Sequence, residues 1–445
     1  MKRAPPLRRL RPRKLPFVTG GDRTMTVCAI EPAAAHENGA GRAGCTITAD
    51  GCYAARLALA GDSLFPERWT LDGPEPYAVP LPGNQPEEPG TEVQPLGDGR
   101  VLIHRLVDGR HAFSLLYPTG PGTGELPLGA VECPDEGTRL RLLPPAPDGR
   151  RAYALAAGRR GATVWLVAGG ASGPERVAEI PGGCSGGAWL DREGRMLALD
   201  REAGGRVKSV VVDLGRGGEV SPLLQIAPGS DDRVLLADPD SGLLLIRSDA
   251  PSPGQARLGW GVLGSTLPVR FPECLRLPDR TVTPFAVQPG QMLTPEGCAV
   301  ALHVEGSDGA GWIGLWRPAE RRVHHVPAPA GWLSGTGLWT VDGVLRLPFS
   351  TGAVPCGVAT LTMPDEEGRA GDGSRGAGAN PEDAESAAGA AGADGAEPPL
   401  PHPDQLTGQL PTGKTEMTVH HLNSLADVPR PVPLQQAPLG RLVTN

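Results

Sequence analysis

Paired cysteines, lysine, aromatic residues and long apolar runs are all scarce in this chain of 445 residues, and each shortage closes off a class of protein. The cysteines at positions 28, 45, 52, 133, 184, 274, 298 and 356 include no Cys-x-x-Cys pair, which argues against a disulfide framework or a zinc site. Cys45 and Cys52 flank the Asp50-Gly51 turn and read as two small buried residues on neighbouring strands. No stretch is long and apolar enough for a membrane helix or for the hydrophobic region of a secretory signal. Lysine occurs only as Lys2, Lys14, Lys208 and Lys414, and 42 Lys and Arg against 50 Asp and Glu leave a net charge of −8. That balance argues against a nucleic-acid-binding body, which needs a concentrated basic surface. The expectation is a reducing, cytoplasmic setting with no membrane span. Arginine in place of lysine, with abundant Ala, Gly and Pro, points to a GC-rich bacterial genome.

What the chain does have is glycine and proline, 63 and 49 of them, about a quarter of all residues. Between 45 and 361 they punctuate short apolar runs such as Val101-Leu102-Ile103, Val164-Trp165-Leu166-Val167, Leu243-Leu244-Leu245-Ile246 and Ala299-Val300-Ala301-Leu302. Short runs bounded by turn residues are the pattern of an all-β protein. The runs also recur. Acidic turns precede them at Asp50-Gly51, Asp98-Gly99, Asp148-Gly149, Glu193-Gly194, Asp231-Asp232, Glu296-Gly297 and Asp342-Gly343. With Asp232 as the fifth marker, the spacings are 48, 50, 45, 39, 64 and 46 residues, near the ~40–50 of a four-stranded propeller blade. Proline-containing exits keep step with the turns, at Val79-Pro80-Leu81-Pro82, Leu126-Pro127-Leu128, Ile180-Pro181, Pro222-Leu223-Leu224 and Val326-Pro327-Ala328-Pro329. Seven turns therefore predict a seven-bladed β-propeller occupying 25–363.

The flanks read differently. Residues 1–24 form a basic disordered arm or a mis-assigned start, with Met25 as the alternative first residue. Residues 364–412 are rich in Gly, Ala and acidic side chains and read as a disordered insertion. Val432-Pro433-Leu434 repeats the Val79-Pro80-Leu81 pattern, so 413–445 are expected to return as strands that complete the last blade. Closure of that kind removes open sheet edges.

Ala146-Pro147-Asp148-Gly149-Arg150-Arg151-Ala152-Tyr153-Ala154-Leu155 resembles the hairpin repeat of TolB-like, WD-type bacterial propellers, which reads Ser-Pro-Asp-Gly-Arg before an apolar strand. The segment from Ala188 to Leu199 is similar to the same hairpin with its preceding aromatic residue. The resemblance spans most of 45–361 and implies the fold; the family includes interaction scaffolds, periplasmic assembly proteins and the propeller halves of serine peptidases.

Local motifs for chemistry are few. Gly183-Cys184-Ser185-Gly186-Gly187 matches Gly-x-Ser-x-Gly, but Ala188-Trp189-Leu190 and the next turn follow where a nucleophile elbow needs a helix, so it reads as the start of a blade. His324-His325 and His420-His421 are adjacent strand positions that point to opposite faces, which gives no metal site. Trp69, Trp165, Trp189, Trp312, Trp316 and Trp339 lie in strand-like runs and read as packing between blades. Trp332, in the connection Ala330-Gly331-Trp332-Leu333-Ser334-Gly335, is the one candidate for an interaction surface. No catalytic residue, cofactor or metal ligand is assigned. The preferred reading is a monomeric, non-enzymatic scaffold binding an unidentified protein partner. One alternative is a module binding a peptide or small metabolite in the central channel, and another is an enzyme whose site is assembled from several blades.

Overall fold

The computed structural model describes residues 45–364 except 121, 134–136 and 307–310. Seven antiparallel sheets follow one another along the chain, each a meander in which sequence neighbours pair. The first blade is β1 (Thr46–Ile47), β2 (Tyr53–Ala60), β3 (Ser63–Thr70) and β4 (Tyr77–Pro80). The second is β5 (Glu92–Pro95), β6 (Val101–Val107), β7 (Arg110–Pro118) and β8 (Thr123–Val131). The third is β9 (Arg139–Leu142), β10 (Ala152–Ala157), β11 (Gly161–Ala168) and β12 (Glu175–Pro181). The fourth is β13 (Gly183–Trp189), β14 (Met196–Ala203), β15 (Arg206–Asp213) and β16 (Glu219–Leu224). Blade five has three strands, β17 (Asp232–Ala237), β18 (Leu243–Ser248) and β19 (Arg257–Val262). Blade six is β20 (Arg280–Val287), β21 (Val300–Gly306), β22 (Gly311–Trp316) and β23 (His324–Pro327). Blade seven has β24 (Leu338–Trp339), β25 (Val344–Phe349) and β26 (Gly357–Thr362) among the described residues. The protein is a seven-bladed propeller, the fold that the hairpin repeat implied.

The apolar runs belong to middle strands covered on both faces, which is why they are continuous rather than alternating. On β6, Val101 and Ile103 pack toward blade one, and Leu102 between them packs toward blade three. Along β18, Leu243 and Leu245 face blade six while Leu244 and Ile246 face blade four. Each of the seven seams between blades holds a hydrophobic cluster of this kind.

The acidic turns join the first and second strands of their blades. At Asp98-Gly99 and Asp148-Gly149 the aspartate Oδ1 accepts the N–H two residues on, at 3.0 and 2.9 Å. The glycine takes φ of +81° and +65°, a region that a side chain would strain. The proline exits fall on the outermost strands β4, β8, β12, β16 and β23.

The fifth marker was misplaced. Asp231 and Asp232 stand at the start of β17, the innermost strand of blade five, and not at a hairpin. The fifth turn lies between β17 and β18, where Asp238 Oδ2 accepts the Ser241 N–H at 3.0 Å and Gly242 has φ of +71°. Moving the marker to Asp240 changes the spacings 39 and 64 to 47 and 56. The residual excess is the segment 263–279, which replaces a fourth strand in blade five with a single Trp260–Arg270 bridge and a 3-10 turn at Glu273–Leu275.

Ring closure joins blades seven and one. Trp69 and Ala54 pack with Leu333, Cys356 and Val358, the Thr336 hydroxyl donates to Cys45 O at 3.1 Å, and the Arg346 guanidinium donates to Leu71 O. The expected returning strands of 413–445, the arm 1–24 and the insertion (364–412, beyond Pro364) lie outside the described residues.

A polar lock holds blade four to blade five. The fully buried Asp232 carboxylate accepts from Lys208 Nζ at 2.6 Å, Ser248 Oγ at 2.6 Å, Ser230 Oγ at 2.8 Å and Ile226 N at 2.9 Å. Beside it, the Ser209 hydroxyl donates to Asp200 Oδ1 at 2.7 Å and accepts the Val234 N–H at 3.0 Å. Asp232→Ala leaves the Lys208 ammonium without its partner, and we expect it to lower unfolding free energy in urea by about 3–5 kcal/mol. Adding Lys208→Met should recover part of the loss, since the uncompensated charge is then gone.

Candidate functional site

The innermost strand of every blade faces the propeller axis and encloses a channel of about 740 Å³, a volume suited to a small ligand. Its wall is drawn from all seven blades, with Thr46 and Thr48 from the first, Glu92 and Gln94 from the second and Arg141 from the third. Gly186, Gly187 and Asp200 follow from the fourth, Val234 and Leu235 from the fifth, Phe285 from the sixth and Gly335–Leu338 from the seventh.

Gln94 is the unusual member. Alternation along β5 turns it toward the axis, it is 1% exposed, and neither its Oε1 nor its Nε2 has a hydrogen-bond partner. A buried carboxamide without partners forfeits two or more hydrogen bonds. Arg141 Nη2 donates to Gly186 O at 2.7 Å across the seam between blades three and four, and no carboxylate pairs with it among the described residues. Arg233 Nη1 lies 3.3 Å from Ser185 Oγ and 3.7 Å from Asp200 Oδ2. Burial pushes the Asp200 carboxyl above the usual carboxylate range, opposed by the Ser209 hydroxyl and the Val234 N–H. The channel thus presents guanidinium, carboxylate, carboxamide and hydroxyl groups within one enclosure.

Glu92 extends this chemistry outward. Its Oε2 accepts the Leu142 N–H at 2.9 Å, tying blade two to blade three, and lies 3.0 Å from His104 Nδ1. His104 Nε2 is in turn 2.8 Å from His111 Nδ1, and the His104 ring stacks on Phe113 at 5.1 Å. Burial, and then the neighbouring His104, hold the His111 imidazole below its ordinary value.

Of the positions singled out from sequence, Ser185 sits on the first strand of blade four, as its context required. A bulge at Gly186-Gly187 places backbone on the channel wall, and a side chain at Gly187 would fall 2.8 Å from Leu143 Cδ2. Trp332, the candidate for an interaction surface, is buried. It is 7% exposed, pairs with Phe349 in an isolated bridge, donates its Nε1–H to Thr336 O at 2.8 Å and meets His303 edge-on at 5.2 Å. Trp69, Trp189, Trp316 and Trp339 are packed in the seams, whereas Trp312, 40% exposed, is the indole that reaches the surface. His324 Nε2 pairs with Glu320 Oε2 at 3.3 Å, and no group of three metal-ligating side chains gathers among the described residues. His420-His421 lies outside them. Sequence reasoning did not single out Glu92, Gln94, Arg141, Asp200 or Arg233. The signal available was their place on or beside the first strand of a blade.

No family model and no curated protein matches the sequence. Solved structures similar to this chain include an oligogalacturonate lyase from Vibrio parahaemolyticus, 10% identical with a TM-score of 0.47 over 72% of this chain and 89% of that one. TolB from Acinetobacter baumannii is 9% identical with a TM-score of 0.38, over 71% and 78%. A puromycin-hydrolysing peptidase from Mycobacterium tuberculosis is 12% identical with a TM-score of 0.48, over 72% of this chain and half of that peptidase. The propeller assignment rests on the seven sheets themselves.

The lowered His111 imidazole makes stability depend on pH. A histidine held below its ordinary value of 6.5 binds fewer protons folded than unfolded. Its contribution is present above that pH and is lost as pH falls below it. The melting temperature should therefore drop between pH 7.5 and pH 5.5, and His111→Gln should flatten the drop. His303, held low by burial, contributes a residual slope of the same sign. Identical slopes for the two proteins would remove His111 as a cause.

Proposed function

We propose that this protein is a binding module whose axial channel takes a short peptide or a small polar metabolite, and that the propeller works without chemistry of its own. The observation that supports the reading is Gln94, a buried carboxamide on the channel wall whose oxygen and nitrogen are both unpartnered. A ligand that accepts from Nε2 and donates to Oε1 restores both bonds, and a peptide unit carries one group of each kind. Arg141, Glu92 and Asp200 on the wall, with Arg233 beside Asp200, suit a ligand bearing charge of both signs, as peptide termini and amino acids do. Polar groups converging from several blades are what separates this reading from a scaffold that uses only an outer face.

The scaffold reading keeps one specific support. Met292 and Leu293 in the loop between β20 and β21, and Val341 in the turn between β24 and β25, are exposed, Leu293 to 96%. Gln288 Nε2 donates to Val341 O at 3.0 Å and so holds the two loops together. Apolar side chains left open in this way suit a protein partner on that end of the ring.

The test is calorimetric titration and thermal shift of the full chain against a panel of di- and tripeptides and free amino acids. Gln94→Leu and Arg141→Leu should each weaken a bound ligand by about 10-fold or more, the worth of one to two buried hydrogen bonds. Circular dichroism should remain that of the parent. Ligand binding indifferent to both substitutions would sink the channel reading. A protein partner lost on Leu293→Asp but held by Gln94→Leu would put the scaffold in its place.

A further inference from the structure

The irregular outer edge of blade five makes a second cavity. Because 263–279 supplies only the Trp260–Arg270 bridge and one 3-10 turn where other blades have a full strand, blades five and six do not close on each other there. The gap is a pocket of about 340 Å³, lined in part by Arg247 from β18, Arg257 from β19, Arg276 from the connection and Arg280 from β20. No aspartate or glutamate lines it.

Four guanidinium groups around one cavity repel one another, and the inner two, Arg247 and Arg257, are only partly solvated, an arrangement that calls for a counter-charge. The surrounding chain supplies very little. Arg247 Nη2 donates to Val282 O at 2.9 Å and has no carboxylate partner among the described residues. Burial, and the cross-strand neighbour Arg233, draw its guanidinium below the ordinary arginine value. Arg257 has a side chain 16% exposed and donates through Nη2 to Phe271 O at 3.3 Å and Glu273 Oε1 at 2.7 Å. Its Nε–H, however, is buried with no acceptor. Glu273 itself is largely in solvent and neutralises at most one of the four charges. Neither Arg276 nor Arg280 has an ion pair among the described residues, and both are exposed at the rim. The cavity thus combines an excess of fixed positive charge, an orphaned buried donor and room for a small molecule.

We propose that the pocket between blades five and six binds the phosphate group of a small anionic ligand. The guanidinium fork matches the oxygens of phosphate in bidentate fashion. A phosphate carries more charge than one carboxylate, which suits an excess of about three positive charges after Glu273 is counted. Arg257 Nε–H and the free donors of Arg247 hold the inner oxygens, while Arg276 and Arg280 close over the group from the rim. The pocket size and the net charge of −8 place the phosphate on a small molecule rather than on a nucleic acid. The site is separate from the axial channel, and binding there does not depend on the channel having a ligand.

The experiment is calorimetric titration of the full chain with inorganic phosphate, with pyrophosphate and with a sugar phosphate, each at constant ionic strength made up with chloride. The expected result is saturable binding of one phosphate group per chain. Arg276→Gln with Arg280→Gln, two exposed positions whose change leaves the core intact, should weaken it by about 10-fold or more. Arg247→Gln should weaken it as well, and Gln94→Leu should leave it unchanged. Tighter binding of the sugar phosphate than of inorganic phosphate would identify an esterified ligand, and the reverse order a free anion. The proposal is overturned if none of the three gives heat beyond the chloride control. It is equally overturned if the double variant binds like the parent, which would place the phosphate elsewhere on the chain.

Discussion

Every blade of this protein has two faces to cover, and that requirement organises the rest of the molecule. A single twisted sheet with apolar side chains on both sides is insoluble alone, and stacking blades in a row would leave the end sheets half bare. A ring gives each sheet two neighbours. The residue pattern follows: the odd members of a middle strand pack one way and the even members the other, as Val101, Leu102 and Ile103 do. The innermost strands mix small and polar residues such as Thr46, Gln94 and Gly186 with apolar ones such as Val234 and Phe285.

Polar groups are treated in two opposite ways within this ring. At the seam of blades four and five, the Asp232 carboxylate is saturated by four donors and Ser209 bridges the blades with a donated and an accepted bond. Such a network fixes geometry, and the Asp232 carboxylate at its centre has nothing left to offer a ligand. On the channel wall and in the pocket beside blade five, Gln94 and Arg257 keep buried donors or acceptors unused. Comparable burial with opposite satisfaction separates the groups that build the structure from those that are open to something outside it. Blade five shows both, since it is locked to blade four by Asp232 and leaves a gap beside blade six at its outer edge, where a fourth strand is missing.

The fold was largely legible because propeller blades repeat their chemistry locally. An aspartate that accepts the N–H two residues on, followed by a glycine at positive φ, is a signal contained in four residues, and it marked the hairpins at 50, 98 and 148 directly. In blade five the same turn spreads from Asp238 to Gly242 with Ser241 taking part, so the pair Asp231-Asp232 stood in for it. Trp332 looked like a surface residue because its flanking glycines mark a loop, yet the loop folds its indole against Phe285 and His303. A central channel followed from the fold, but the residues of its wall were not legible. Glu92, Arg141, Gly186 and Val234 stand roughly one blade apart along the chain, and only closure of the ring makes them neighbours. The four arginines around the second pocket, read singly, are ordinary surface charges.

The seam that closes the ring also bears on the order in which the molecule can form. Within a blade, partner strands are joined by short turns, and a meander can assemble as soon as its own forty or so residues are free. The contacts between blades seven and one join residues separated by 275 to 294 positions, as in Arg346 with Leu71, Thr336 with Cys45 and Arg56 with Ser350. Closing so long a loop carries an entropy cost that only a nearly complete arc of blades can offset. During synthesis blade one therefore waits with its outward face, including Trp69, uncovered until the last blade leaves the ribosome. That interval, rather than the finished ring, is when the chain is most open to misassociation with its own copies.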